Sequence, residues 1–219
     1  MSDFIAGASV GIAQVAIGHP FDTCMVLIQN GRKWRNLPFK NYYKGWKFPL
    51  VSATLFNCVV FSTYERSLKY TNNRVFSGAI CGLCIAPLLY GFEIGKIRRQ
   101  TNQSLKLSHF KNSKGFYPLL TRETLAMSTY FTTYHYAKDY GYQPLVAGGM
   151  AGLANWGLTY PIDVIKSRQM AQNLSIKDAI KKGNFYKGFS ICGTRAVLVN
   201  AVNFWTYEKA KGYIDSKIN

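Results

Sequence analysis

The sequence predicts an all-α membrane protein with six transmembrane helices in three tandem two-helix repeats, arranged with threefold pseudosymmetry around a central cavity. Three observations support this fold class. One set of motifs recurs three times at intervals of about seventy residues. Six mostly apolar stretches each reach the roughly twenty residues that a helix needs to cross a bilayer. Strongly basic segments connect the two stretches within each repeat. An internal repeat of this kind indicates units that bury their polar faces only against one another.

The repeats span about residues 1–70, 71–141 and 142–219. Because a lone helix pair cannot bury a polar inner face, we expect one integral domain, residues 1–219. Each repeat opens with a Gly-x-x-x-Gly pair that stands thirteen residues before a charged motif, and the first glycines are Gly7, Gly78 and Gly148. Small residues at this spacing let helices approach closely inside lipid, so three copies in register favour membrane helices.

The apolar stretches define the six helices. The first helix of each repeat is expected over Phe4–Val26, Val75–Ile97 and Leu145–Ile165, and the second over Trp46–Tyr64, Phe116–Tyr136 and Phe189–Tyr207. A soluble core helix of this length would carry a polar stripe along one whole face. The middles of these stretches instead hold mainly Ser, Thr, Asn, Gly and aromatic residues.

The connecting segments carry most of the charge. The chain has 27 Lys and Arg residues against 10 Asp and Glu, a formal net charge of +17, and eighteen of the basic residues lie in the three segments within the repeats or at their borders. We therefore expect these loops on one face of the membrane and both termini on the other. The loops would attract anionic, cardiolipin-like lipid headgroups. Nucleic-acid binding is disfavoured, because the charge lies between apolar spans and not on one soluble domain.

A charged motif lies near the end of the first helix of each repeat. It reads Pro20-x-Asp22, then Gly91-x-Glu93-x-x-Lys96, then Pro161-x-Asp163-x-x-Lys166. Proline kinks a helix, and charges at membrane depth are costly unless they are paired or hydrated. Around a threefold axis each acid meets the base of the next repeat, which predicts the pairs Asp22–Lys96 and Glu93–Lys166. Asp163 would face Met25 and lacks a cation there.

This triplicated motif, followed by an aromatic-basic-Gly step, resembles the signature of the mitochondrial carrier family. The resemblance covers essentially the whole chain, and segments such as residues 18–23 (GHPFDT) are most similar to carriers of carnitine/acylcarnitine and ornithine-like amino acids. It implies the same six-helix fold, with the motif pairs closing the matrix side of the cavity. Gln29 and Gln100 stand where the family places a glutamine that braces these pairs, and Met170 breaks that pattern.

The resemblance also implies a cytosolic gate, built from an aromatic-acid-x-x-base motif on each second helix. The third repeat matches it fully at Glu208 and Lys211. The second repeat has Lys138 but His135 in place of the acid, and the first has Glu65 but Leu68 in place of the base. A gate network with fewer charged residues, together with short connecting segments, indicates a carrier reduced in size relative to the family pattern.

Substrate in this family contacts the middle of the second helices, seven residues after each aromatic-basic-Gly glycine, here Ser52, Arg122 and Arg195. Arg122 and Arg195 are also the only basic residues near the centres of their spans, and an unpaired arginine at that depth indicates a hydrated site. Glu123 follows Arg122, so this step offers a fork for a carboxylate and an anion for an ammonium group. A simple helix-packing pair is the alternative. Further neighbours on the same face are Trp156 and Asn200.

The resemblance implies a monomeric transporter in the mitochondrial inner membrane, not an enzyme, that exchanges a small charged metabolite, amino-acid-like or carnitine-like, by alternating access. Two alternatives stay open. A nucleotide or deoxynucleotide carrier is one, because the two arginines also suit phosphates. A non-transporting membrane scaffold with the carrier fold is the other. No cofactor or metal is expected, since Cys81-x-x-Cys84 lies within a span and no second Cys/His pair accompanies it.

Overall fold

The computed structural model describes residues 2–104, 114–199, 202 and 206, and all regular secondary structure in that part is helical. In chain order the helices are α1 (Ser2–Gln29), α2 (Phe39–Tyr42), α3 (Lys47–Thr71), α4 (Arg74–Gln100), α5 (Phe116–Asp139), α6 (Pro144–Gln172), α7 (Ile176–Lys181) and α8 (Phe189–Val199). Over the described residues the prediction of an all-α chain is confirmed.

The long helices follow the predicted apolar stretches. Helices α1, α3, α4, α5 and α6 have 24 to 29 residues, and α8 begins at Phe189, where the sixth stretch begins. Among the described helices, α4 alone combines span length with a high mean hydropathy, 1.9 over its most apolar window. Six spans in three repeats therefore stay a prediction.

A Lys-Gly step, which follows a tyrosine in the first and third repeats and Ser113 in the second, precedes the second helix of each repeat with similar backbone geometry. Gly45, Gly115 and Gly188 have φ of +84°, +114° and +92°, a left-handed conformation that glycine adopts without a steric cost. Each also lies against a first helix of another repeat: Gly45 against Lys96 of α4, Gly115 against Met170 of α6, and Gly188 against Ile28 of α1. These three contacts follow a cyclic order, so the repeats meet end to end at the basic face.

The glycine pair of the second repeat brings α4 and α5 into backbone contact. A methyl group at Gly82 would lie 2.4 Å from the Glu123 carbonyl oxygen, and one at Gly78 would lie 2.6 Å from Ser128 Cα. The third repeat differs from the expectation, because no described atom lies within 4 Å of a methyl group built at Gly148 or at Gly152. Beyond Val199, only residues 202 and 206 of the predicted sixth stretch are described, and the side-chain surroundings of Gly7 lie outside the described residues.

The basic end of the helix bundle is tied together by Arg168. Its Nε donates to the Gln29 carbonyl at 3.0 Å and its Nη1 donates to the Ala179 carbonyl at 2.9 Å. One buried guanidinium thus joins the end of α6 to the last residue of α1 and to α7. An apolar cluster contributed by α1, α4, α5 and α6 packs beside it: Val26, Ala86, Ile94, Ile97, Leu119, Met170 and Ala171. This packing holds in place the charged residues described next.

Candidate functional site

A cavity of about 270 Å³ lies between the long helices. It is lined by Ser52, Arg122, Glu123, Trp156 and Arg195, which are five of the six residues predicted to bind substrate. The sixth, Asn200, lies outside the described residues. The charged-motif residues line the same cavity: Asp22, Glu93, Lys96, Asp163 and Lys166. The substrate level and the proposed matrix gate therefore border one continuous space.

Two ion pairs connect the first helices of the three repeats. Lys96 Nζ lies 3.0 Å from Asp22 Oδ2, between α4 and α1. Lys166 Nζ lies 2.7 Å from Glu93 Oε2, between α6 and α4. The side chains are largely buried, with exposed fractions between 6% and 24%. At this burial an ion pair that loses one partner leaves an uncompensated charge, which is strongly destabilising.

Asp163 has partners other than a residue at position 25. Lys166 of the same helix lies 2.9 Å from its Oδ1, and Arg122 Nε of α5 lies 3.9 Å from the same oxygen. Gln29 Nε2 donates to Oδ2 at 3.2 Å. Met25 itself is buried in an apolar cluster with Tyr160, Val164 and Cys192. The contact between α1 and α6 is therefore closed by an amide hydrogen bond where the other two first-helix contacts have an ion pair.

The two predicted glutamine braces contact different kinds of group. Gln29 reaches the Asp163 carboxylate directly. Gln100 Nε2 donates to Thr23 Oγ1 at 3.1 Å, next to Asp22 in the chain, and Thr23 in turn donates to the Tyr42 carbonyl at 2.7 Å. Gln100 thus supports the backbone that carries Asp22 through a neutral hydroxyl.

Both cavity arginines have anionic neighbours. Arg122 Nη1 lies 2.5 Å from Glu123 Oε1, and its guanidinium carbon lies 5.1 Å from the centre of the Trp156 ring, a cation–π distance. Arg195 Nε lies 2.5 Å from Asp22 Oδ1. The Glu123 side chain is 3% exposed, against 14% for the Arg122 side chain. The pair Arg122–Glu123 faces the cavity, so both groups are within reach of a solute there.

Sequence reasoning missed two of these features. The first is the contact of Arg195 with Asp22, which no spacing rule connects. The second is His19, a buried cavity residue whose Nε2 lies 2.9 Å from the Lys44 carbonyl. A signal for His19 existed, because it stands three residues before Asp22 and so shares its face of α1.

The opposite end of the bundle lacks the predicted ion pairs in the part that the structure describes. Glu65 and Lys138 are exposed, and Glu208 and Lys211 lie outside the described residues. Instead, the Tyr64 ring stacks on Phe131 at 3.7 Å and on His135 at 5.7 Å. Within their own motifs, Glu65 and Lys138 also lack a charged counterpart, because position 68 is Leu68 and position 135 is His135.

One ion pair outside the expected set joins the start of α4 to the end of α5. Arg74 Nη1 contacts Asp139 Oδ2 on the protein surface. The hydrogen bond from the Arg74 guanidinium holds the pKa of the Asp139 carboxyl below its usual value. Among the described residues, no group of three or more His, Cys, Asp or Glu side chains is arranged to hold a metal ion.

Comparisons with known proteins bear on the whole chain. Residues 139–217 match the family model described as mitochondrial carrier protein. Solute carrier family 25 member 45 of Mus musculus is 29% identical over 280 aligned positions, covering 95% of this chain and 97% of the relative. The mitochondrial basic amino acids transporter of Homo sapiens is 29% identical, covering 93% and 88%. The glutamate/glycine mitochondrial carrier of Schizosaccharomyces pombe is 27% identical, covering 97% and 94%.

The relative from Mus musculus has segments that this chain lacks. An alignment of 280 positions exceeds the 219 residues of this chain, so the relative has internal segments that this chain lacks. Matches along nearly the full length of both sequences, a family model over the third repeat and a charged motif in all three repeats agree with one another. The chain is therefore similar to mitochondrial carriers along nearly its whole length, and its third repeat matches the model of that family.

Proposed function

We propose that this protein exchanges a small zwitterionic, amino-acid-like metabolite across the mitochondrial inner membrane by alternating access. The observation that carries this proposal is the charge balance of the cavity. Its described lining has four cationic side chains and four carboxylates: Lys96, Arg122, Lys166 and Arg195 against Asp22, Glu93, Glu123 and Asp163. The lining is therefore formally neutral in a chain of net charge +17.

A neutral lining with alternating charges suits a solute that carries both signs. Arg122 or Arg195 can bind a carboxylate in a bidentate manner, and the buried Glu123 can accept from an ammonium group. Trp156 already packs on a guanidinium and offers the same face to a ligand cation. At about 270 Å³ the cavity lies just below the range of pockets for drug-sized ligands, which favours a small metabolite.

A nucleotide fits this lining less well. A triphosphate would add several negative charges beside four carboxylates, and each would be repelled in a partly dehydrated space where charges are poorly screened. The cations are also engaged with carboxylates of the protein, so few are free to neutralise phosphates. Two of the relatives are named as carriers of amino acids, one for basic amino acids and one for glutamate and glycine.

Aromatic side chains support a membrane position. On α5, Tyr117 is 73% exposed and Tyr136 is 57% exposed. They stand nineteen residues apart, about 28 Å along a helix, close to the thickness of the hydrocarbon core. Exposed tyrosines at that separation suit the two interfaces of a bilayer. We infer six spans, with the basic loops on the matrix side and both termini on the cytosolic side.

A groove of about 900 Å³ on the basic face supports an anionic lipid as partner. It is lined by the aromatic side chains Phe39 and Trp46 and by the basic residues Lys40, Lys44, Lys47 and Arg99. Aromatic rings at an interface pack against acyl chains, while the cations attract the headgroup phosphates.

Gating follows from the two ends of the bundle. The ion pairs of Asp22 and Glu93, with the Gln29–Asp163 hydrogen bond, join the first helices at the basic end. The described gate residues at the other end, Glu65 and Lys138, are exposed. This arrangement is the one expected of a carrier closed towards the matrix. Substrate shifts the equilibrium only by as much as it binds one state more tightly than the other.

Uptake into liposomes tests the proposal. The purified protein should exchange labelled lysine or ornithine in a saturable manner, and Arg122→Ala and Arg195→Ala should each abolish exchange. Uptake of ATP without uptake of any amino acid would favour the nucleotide carrier. No uptake, together with no change in melting temperature for any metabolite, would favour the scaffold. Normal exchange in both arginine variants would show that the site is wrong.

A further inference from the structure

Arg195, which is proposed to bind substrate, already contacts a carboxylate of the closed end. Arg195 Nε lies 2.5 Å from Asp22 Oδ1, whereas Lys96 Nζ lies 3.0 Å from the other oxygen, Oδ2. The two oxygens of one carboxylate thus hold cations from α8 and α4. Replacing the partner of Oδ1 leaves the partner of Oδ2 in place, so the two contacts can change separately.

The Arg195–Asp22 contact is close but not aligned as a hydrogen bond. The Arg195 Nε–H group is buried and has no hydrogen-bond acceptor among the described residues. The guanidinium lies against α1 at Gly18, one turn before Asp22, where a methyl group would lie 3.3 Å from Arg195 Nη2. A carboxylate that approached from the cavity could accept from the Nε–H group that this geometry leaves without an acceptor, and could bind the guanidinium in a bidentate manner.

We propose that Asp22 is a further substrate-binding residue, whose Oδ1 exchanges the Arg195 guanidinium for the substrate's ammonium group while Arg195 takes the substrate's carboxylate. The inference rests on the proposed transport of an amino-acid-like solute. An α-amino acid carries both groups on one carbon atom, so its insertion gives the alternating order Asp22, ammonium, carboxylate, Arg195. A carboxylate alone would leave Asp22 Oδ1 without its cation, and an amine alone would leave Arg195 without its anion.

Glu93 provides a matched control for Asp22. Both carboxylates line the cavity, and both pair with a lysine of the closed end at 3.0 Å or less. Among the described residues, Glu93 has no arginine within ion-pair distance, in contrast to Asp22. Neutralising either one removes a lysine pair from the closed end, and only Asp22→Asn also releases a cavity arginine.

The experiment compares three ligands that share one chain: L-lysine, 6-aminohexanoate, which lacks the α-ammonium group, and 1,5-diaminopentane, which lacks the carboxylate. Affinities for the purified full-length protein follow from the rise in melting temperature with ligand concentration. Wild-type protein should bind lysine about tenfold or more tightly than either analogue, because each analogue loses a charge-assisted hydrogen bond. In Asp22→Asn the preference for lysine over 6-aminohexanoate should fall to about threefold or less. In Glu93→Gln it should keep its wild-type value.

A second variant covers the case in which Asp22→Asn does not fold. Arg195→Gln frees Asp22 Oδ1, so the preference for lysine over 1,5-diaminopentane should be lost instead. Equal changes of the lysine to 6-aminohexanoate ratio in Asp22→Asn and Glu93→Gln would overturn the inference, and so would wild-type ratios in both Asp22→Asn and Arg195→Gln. Failure of the proposed function looks different, because wild-type protein would then neither respond to lysine nor take up any amino acid. That outcome would overturn the inference as well.

Discussion

Replacing Met25 by lysine would supply the cation that the threefold pairing scheme lacks. Met25 is 7% exposed on α1, packs against Tyr160 and Val164 of α6, and lines the same cavity as Asp163. Asp163 at present shares Lys166 with Glu93, at 2.9 and 2.7 Å from the two carboxylates. An ammonium group at position 25 would give Asp163 a cation of its own and would join α1 to α6 by an ion pair.

The expected change in the free energy of unfolding is the difference between a favourable new ion pair and the cost of desolvating its ammonium group. A hydrogen bond to a charged group contributes about 1.5–3 kcal/mol. Desolvating the new ammonium group costs several kcal/mol in a dry interior, but less beside a hydrated cavity with an acid already present. We expect a net stabilisation of about 1 kcal/mol, which for a chain of this size corresponds to a rise in Tm of roughly 2–4 °C. If opening breaks the new pair, exchange slows about fivefold.

The assay combines thermal unfolding in detergent with exchange of labelled lysine in liposomes. Met25→Leu is the control, because it keeps an apolar side chain of similar volume and should change neither quantity appreciably. A lower Tm in Met25→Lys, or an unchanged Tm and an unchanged rate, would show that position 25 does not face Asp163. The pairing of each acid with the next repeat would then fail for this chain.

Three further outcomes are expected. Gly82→Ala should destabilise the protein by about 1–3 kcal/mol, because the new methyl group would lie 2.4 Å from a backbone oxygen of α5. Gly148→Ala should be neutral or stabilising by up to about 1 kcal/mol. Equal effects of the two changes on Tm would contradict this helix packing. Gln29→Ala should cost about 1.5–3 kcal/mol and Gln100→Ala about 0.5–1.5 kcal/mol, since Gln29 donates to a carboxylate and Gln100 to a hydroxyl; the reverse order in chemical denaturation would refute this assignment. Because the pKa of Asp139 is lowered in the folded state, its bond to Arg74 stabilises the fold fully above the unfolded-state pKa of about 3.9. This contribution is lost as the pH falls through the lower folded-state pKa. The difference in Tm between wild type and Asp139→Asn should therefore be present at pH 6 and vanish in acid.

Much of the architecture could be predicted because it depends on local sequence patterns that occur in all three repeats. Helical periodicity and the order of the repeats are both properties of the sequence, so they indicate which acid lies near which base, as for Asp22 with Lys96. The glycine of the Lys-Gly step recurs at the same place in all three repeats, and glycine adopts the left-handed conformation found there without a steric cost. The family resemblance added the level of Arg122 and Arg195. These predictions do not depend on the rotamer of any single side chain.

The remaining features depend on how side chains from distant segments turn towards one another, and only the tertiary structure decided them. Asp163 contacts Gln29, Lys166 and Arg122. Arg195 contacts Asp22, which lies more than 170 residues earlier in the chain. Where a charged residue of the pairing scheme is replaced, as at Met25, the sequence shows only that the expected partner of the opposite charge is absent. Which neighbour compensates is set by helix separation, rotamer choice and the cost of leaving a buried charge alone, and these are properties of the packed bundle.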